Sequence, residues 1–186
     1  MSLQKQQNLL ARLYTDAEFR RAFLTQPAEI GAEFGLNKAE IDEIAAVLPE
    51  ELEFFADSLF WKRLREAEKF LPLTKRVLEA DFTRFFREFS QNFNPQTLKK
   101  HFEDALAFTR FLQKQEISKF ALTAAKFEHA KLEFFGFEKR LTICRLDFDP
   151  REFAQSEEIG GRKIPARRKK IAVWLRIGKR IRHFFI

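Results

Sequence analysis

The hydrophobic period of this chain changes at Gly136, and that change sets the architecture. Before it, apolar residues recur at helical spacing: Phe60, Leu64, Ala67 and Leu71 form one stripe, and Ala105, Thr109 and Leu112 continue another begun by Leu98 and Phe102. After it, Leu141–Leu146 alternates with period two, and Lys169–Ile177 places Ile171, Val173, Leu175 and Ile177 on one face and Ala172, Trp174 and Arg176 on the other. Gly178-Lys179 supplies a two-residue hairpin with glycine where a type II′ turn needs it, so Arg180–Ile186 reads as a third strand. The expected fold is α+β: a helical N-terminal two-thirds followed by a small antiparallel β-sheet.

Punctuation divides the helical part. Asp16 is an N-cap for Ala17–Gln26, and Pro27 opens a short helix that stops at Gly35. Asn37 with Glu40 forms a capping box for Lys38–Val47, and Pro49 opens the longest helix. Pro72 breaks the pattern, which resumes at Asp81–Asn92 with Phe82, Phe85, Phe86 and Phe89. Asn94-Pro95 reads as an N-cap and first-turn proline. Ser118 starts the last helix, with Ile117, Ala121, Ala124, Glu128, Leu132 and Phe135 as its core-facing row. Asp149-Pro150 is a turn signal, and residues 151–166 read as irregular. Three segments are expected: a helical module over 1–80, a helical bundle over 81–136, and a basic sheet over 137–186 packed on the helices.

Charge is concentrated at one end. Ten of the 34 lysines and arginines lie in Gly161–Ile186, where no acidic residue occurs. The remaining 24 face 27 acidic residues, so the body stands at −3 and the tail accounts for the net +7. A basic β-type surface points to an acidic partner. Its candidate residues are Arg167, Arg168, Lys169, Lys170, Trp174, Arg176, Lys179, Arg180 and Arg182. Three uses compete. A charged edge guards strands against aggregation. A nucleic-acid surface would contact phosphates and stack bases on Trp174 and Phe184. A peptide-binding edge would accept an acidic extended segment by strand addition.

Little else carries chemistry. Three histidines, His101, His129 and His183, stand far apart, and the one cysteine, Cys144, lies mid-strand. No glycine-rich phosphate loop or nucleophile motif occurs, so the expectation is no catalytic residue, no metal and no cofactor. Glu128 breaks its helix's apolar row, and a buried ion pair or a partner contact would explain it. The 24 phenylalanines read as core filler, with an exposed binding patch as the alternative. The N-terminus lacks a secretory h-region and no apolar run spans a bilayer, so a cytoplasmic protein without membrane contact is expected.

Two stretches carry a resemblance. Leu9–Asp16, Phe23–Pro27 and Phe34–Leu36, continued by Phe55–Leu59, Lys62–Leu64 and Leu71–Leu73, resemble the helical module appended to some multinuclear non-haem iron oxidases. Phe111-Leu112 and Phe127–Ala130 are similar to the helix pattern of the accessory proteins that partner such oxidases, the BufC and HvfC type, and more distantly the partner subunit of methanobactin biosynthesis. The resemblance implies a non-catalytic subunit that docks an iron-dependent oxidase in a hetero-oligomer and presents a ribosomally made precursor peptide for modification. Some members of this group are described as DNA-binding domains, which implies the alternative of a transcriptional regulator using the basic end.

Overall fold

The computed structural model describes residues 2–47, 49–155 and 169–186. Among these the helices are α1 (Ser2–Thr15), α2 (Ala17–Thr25), α3 (Pro27–Glu33), α4 (Lys38–Ala45), α5 (Pro49–Phe70), α6 (Pro72–Leu78), α7 (Ala80–Gln91), α8 (Lys100–Leu112), α9 (Lys119–Gly136) and α10 (Pro150–Gln155). The strands are β1 (Leu141–Leu146), β2 (Lys170–Ile177) and β3 (Arg180–Phe185), an antiparallel sheet in the order β1-β2-β3. The α+β architecture expected from the change of period is the one observed.

The chain divides into two compact units, residues 1–63 with 90–94, and residues 64–89 with 95–186. The first unit packs Leu9 and Leu13 of α1, Phe23 of α2 and Ile41 and Ile44 of α4 into one core. Caps fix its helix starts. The Asp16 carboxylate accepts from the Phe19 amide at 2.9 Å, and Asn37 and Glu40 close a reciprocal capping box.

In the second unit the phenylalanines of α7 are core. Phe82, Phe85, Phe86 and Phe89 are buried, and Phe82, Phe86 and Phe89 set their rings around Phe108 of α8, with centroids 5.2, 5.0 and 5.4 Å away. Edge-on and tilted ring contacts of this kind add to the stabilisation from burial alone. α9 carries the sheet: Ala130 and Phe134 pack under Leu146, Ala172 and Trp174.

Four sequence expectations give way here. Asn94-Pro95 does not start a helix; α8 begins at Lys100. The Glu103 carboxylate accepts from the amides of Gln96 and Thr97 at 3.1 and 2.9 Å. A continuous helix would place Glu103 about two turns away from those amides, so the segment folds back as a turn and leaves Leu98 fully exposed. Conversely, Asp149-Pro150 opens α10, with the Asp149 carboxylate accepting from the Arg151 amide at 3.0 Å; residues 156–166 of the stretch read as irregular lie outside the described residues. The segment after Pro72 is helical, as α6. In α9 the expected row is buried at Ala121, Ala124, Glu128 and Leu132, but at its end Phe134 is buried and Phe135 is exposed.

Candidate functional site: the basic three-stranded sheet

The β2–β3 hairpin closes on Gly178 and Lys179, with Ile177 paired to Arg180. Gly178 has φ +58°, and Lys179 is not among the residues with positive φ, the pattern of a type II′ turn. This geometry matches the right-handed twist of the strands it joins.

Register decides which side chains share a face. Trp174 lies opposite Thr142 and His183, and Ala172 opposite Cys144 and Phe185. This inner face packs on α9. Trp174 is 2% exposed; its indole stacks on the His183 ring at 4.7 Å and 11°, and the Phe127 ring lies 5.3 Å away. Arg176 belongs to the same face: its guanidinium carbon lies 5.3 Å from the Phe134 ring centroid, and its Nε donates to the Lys139 carbonyl at 3.4 Å. Arg151 of α10 covers the Phe185 ring at 4.6 Å, while pairing with Asp149 at 2.6 Å. That pairing holds the Asp149 carboxyl below its ordinary range.

The outer face carries Arg180 and Arg182 together with Phe184, and across β2 it continues through Leu175 and Val173 to Leu141 and Ile143. Arg145 sits on it at the β1 side. Thus the basic residues expected to act together do not all do so. Arg180 and Arg182 are exposed on the outer face, whereas Lys170 and Arg176 are half-buried on the inner one. Lys169 and Lys179 are exposed, just before β2 and in the turn. Arg167 and Arg168 lie outside the described residues. Trp174, expected to stack a ligand, is instead the buried centre of the inner face. Phe184 keeps the exposure it would need.

β3 is an edge strand. Ile171 and Ile186 exchange both backbone hydrogen bonds at 2.9 Å. Antiparallel alternation then directs the N–H and C=O groups of Ile181, His183 and Phe185 away from β2. Among the described residues no strand pairs with this edge, which presents three donors and three acceptors beside two arginines.

Glu128 is buried on α9, and among the described residues its carboxylate bonds to α6 rather than to the anticipated basic side chain. Its carboxylate accepts from the amides of Leu73 and Thr74 at 2.8 and 2.9 Å and from the Thr74 hydroxyl at 2.6 Å. These are first-turn groups of α6, whose own N-cap position, Leu71, supplies no side-chain acceptor. Glu128 is thus a helix cap delivered from another element. Burial pushes its carboxyl above the ordinary value, against the lowering effect of the three hydrogen bonds. Nothing in the local sequence pairs residue 128 with residues 73 and 74; the signals were the carboxylate interrupting an apolar row and the missing acceptor at Leu71.

The histidines do not meet. His129 shares a 2.8 Å hydrogen bond with Thr109 and lies 3.5 Å from Glu133, while His183 stacks on Trp174. Burial lowers the pKa of both rings. Among the described residues no three His, Cys, Asp or Glu side chains converge on a point that would hold a metal ion. The Cys144 thiol faces the Lys126 carbonyl at 3.6 Å, and burial raises its pKa, the environment of an unreactive thiol. No described helix is long and apolar enough to cross a membrane. No family model matches the chain, and neither a curated protein nor a solved structure matches it.

Proposed function

We propose that this protein is a non-catalytic binding subunit whose β3 edge takes an acidic, extended segment of another polypeptide as a fourth strand. The carrying observation is the β3 edge: backbone groups of Ile181, His183 and Phe185 that have no strand partner among the described residues, next to the exposed arginines 180 and 182. Backbone pairing supplies affinity in such a complex and the flanking charges select an acidic ligand. The sequence resemblance to oxidase accessory proteins supplies the candidate ligand, a precursor peptide delivered to an iron-dependent oxidase in the cytoplasm. The DNA-binding alternative loses its best stacking residue, because Trp174 is buried, with its ring stacked on His183 and a tilted Phe127 ring beside it.

The test uses the full chain and two labelled probes: an acidic precursor peptide encoded beside an iron oxidase gene, and a generic DNA duplex. Peptide binding is expected to slow amide exchange at Ile181, His183 and Phe185, and to persist at about 0.2 M salt, where screening weakens purely ionic contacts. Ile181→Pro removes one outward donor without touching the β2 ladder, and is expected to weaken the peptide complex ~10-fold, about one hydrogen bond's worth. Salt-resistant, sequence-selective duplex binding with no affinity for the peptide would overturn this reading.

A further inference from the structure

The sheet's outer face is apolar where an antiparallel sheet packed on one side is ordinarily polar. Leu141, Leu175 and Arg182 form one row across the strands, and Ile143, Val173 and Phe184 the next. Arg145, Ile171 and Ile186 form a third, with Ile177 beside Arg180 at the turn end. Eight of these eleven positions are apolar, three are arginine, and none is acidic. Exposure is substantial around its margin, with Ile143 58%, Ile177 62% and Phe184 43%, while Val173 at its centre is buried and Ile171 and Leu175 are half-buried. The α9 side of the sheet is filled by Trp174, Ala172 and Phe134, so the exposed outer-face side chains lie outside that core.

Strand and residue spacing make this face roughly 10 by 20 Å. That is well below the ~800 Å² per partner of a stable stand-alone interface, so it suits the apolar centre of a wider contact. Its charge chooses the occupant. Two copies stacked face to face would oppose arginines to arginines, whereas carboxylates would pair with them, and arginine beside aromatic and aliphatic anchors is the make-up of an interface centre. We propose that the outer face docks a partner protein presenting an apolar patch flanked by aspartate or glutamate. This goes beyond strand addition: the β3 edge is read through its backbone, the outer face through its side chains.

The probe is a displayed random-peptide library selected on the immobilised full chain, with Ile143→Ser, Arg182→Glu and Ile181→Pro as comparison proteins. Enriched peptides are expected to combine Leu, Ile, Phe or Trp with Asp or Glu. Their affinity is expected to fall ~10-fold or more with Ile143→Ser or Arg182→Glu, and to be unchanged by Ile181→Pro, which reports on the edge alone. Unchanged melting and near-ultraviolet circular dichroism establish that each variant is folded; should Ile143→Ser fail there, Arg182→Glu carries the test, since it removes no buried group. Four results would overturn the proposal: no enrichment, enriched peptides without carboxylates, binders insensitive to both face variants, or a wild-type dimer abolished by Ile143→Ser. Face-dependent capture on vesicles of phosphatidylcholine and phosphatidylglycerol, with no peptide enriched, would reassign the face to lipid.

Discussion

Glu128 does two opposed things at once: its carboxylate satisfies three donors of α6, and it does so from a buried position that penalises its charge. Removing it strands the amides of Leu73 and Thr74 in the interior. Glu128→Ala is expected to cost about 2–4 kcal/mol, and Glu128→Gln, which keeps one carbonyl acceptor, nearer 1 kcal/mol, both measured by chemical denaturation. The pH dependence follows from the raised carboxyl. The folded state holds this proton more tightly than the unfolded chain does, so the associated stabilisation is complete below the ordinary pKa of 4.5 and is lost as pH rises through the folded value. The glutamine variant is expected to lack that slope. His129 and His183 act in the other direction: their lowered values mean stability present above 6.5 and lost as pH falls through the folded values.

The hairpin is the element most legible in the sequence and the one most open to a single-atom test. A Cβ added at Gly178 meets nothing within 4 Å, so Gly178→Ala isolates the cost of placing an L-residue at φ +58°. That cost is about 1 kcal/mol and lowers the melting temperature by a few degrees; Gly178→Asn is expected to lose less. Helix starts were legible wherever a side chain caps its own helix, as at Asp16, Asn37 and Ser118. They were not where a cap arrives from afar, as Glu128 does for α6, or where a later carboxylate folds the chain back, as Glu103 does at Asn94-Pro95. An Asn-Pro or Asp-Pro pair has the same local chemistry whether it starts a helix or turns the chain. The candidate site was half legible. Its strands and turn were, but the gathering of the basic residues was not, and register explains why. A two-residue turn pairs odd-numbered Ile177 with even-numbered Arg180. Even-numbered Arg176 therefore falls on the face opposite to even-numbered Arg180 and Arg182.

For the whole molecule, the sheet is where charge, apolar exposure and an open edge coincide, on a chain whose remainder is slightly acidic. Its β3 strand is also structural, because His183 and Phe185 close one side of the pocket around Trp174. A chain ending at Ile177 is expected to melt lower and to aggregate, since it uncovers Trp174 and the β2 edge; scanning calorimetry and light scattering check this, and an unchanged melting curve would remove β3 from the core. The same stack gives the molecule a built-in optical reporter. Of its two tryptophans, Trp61 is 44% exposed and Trp174 is buried flat against an imidazole. In a Trp61→Phe protein the remaining indole is expected to emit at short wavelength while β3 is seated. It is expected to dim as His183 gains a proton in acid, and to shift red when the strand leaves, so one emission spectrum distinguishes a charged ring from a lost strand.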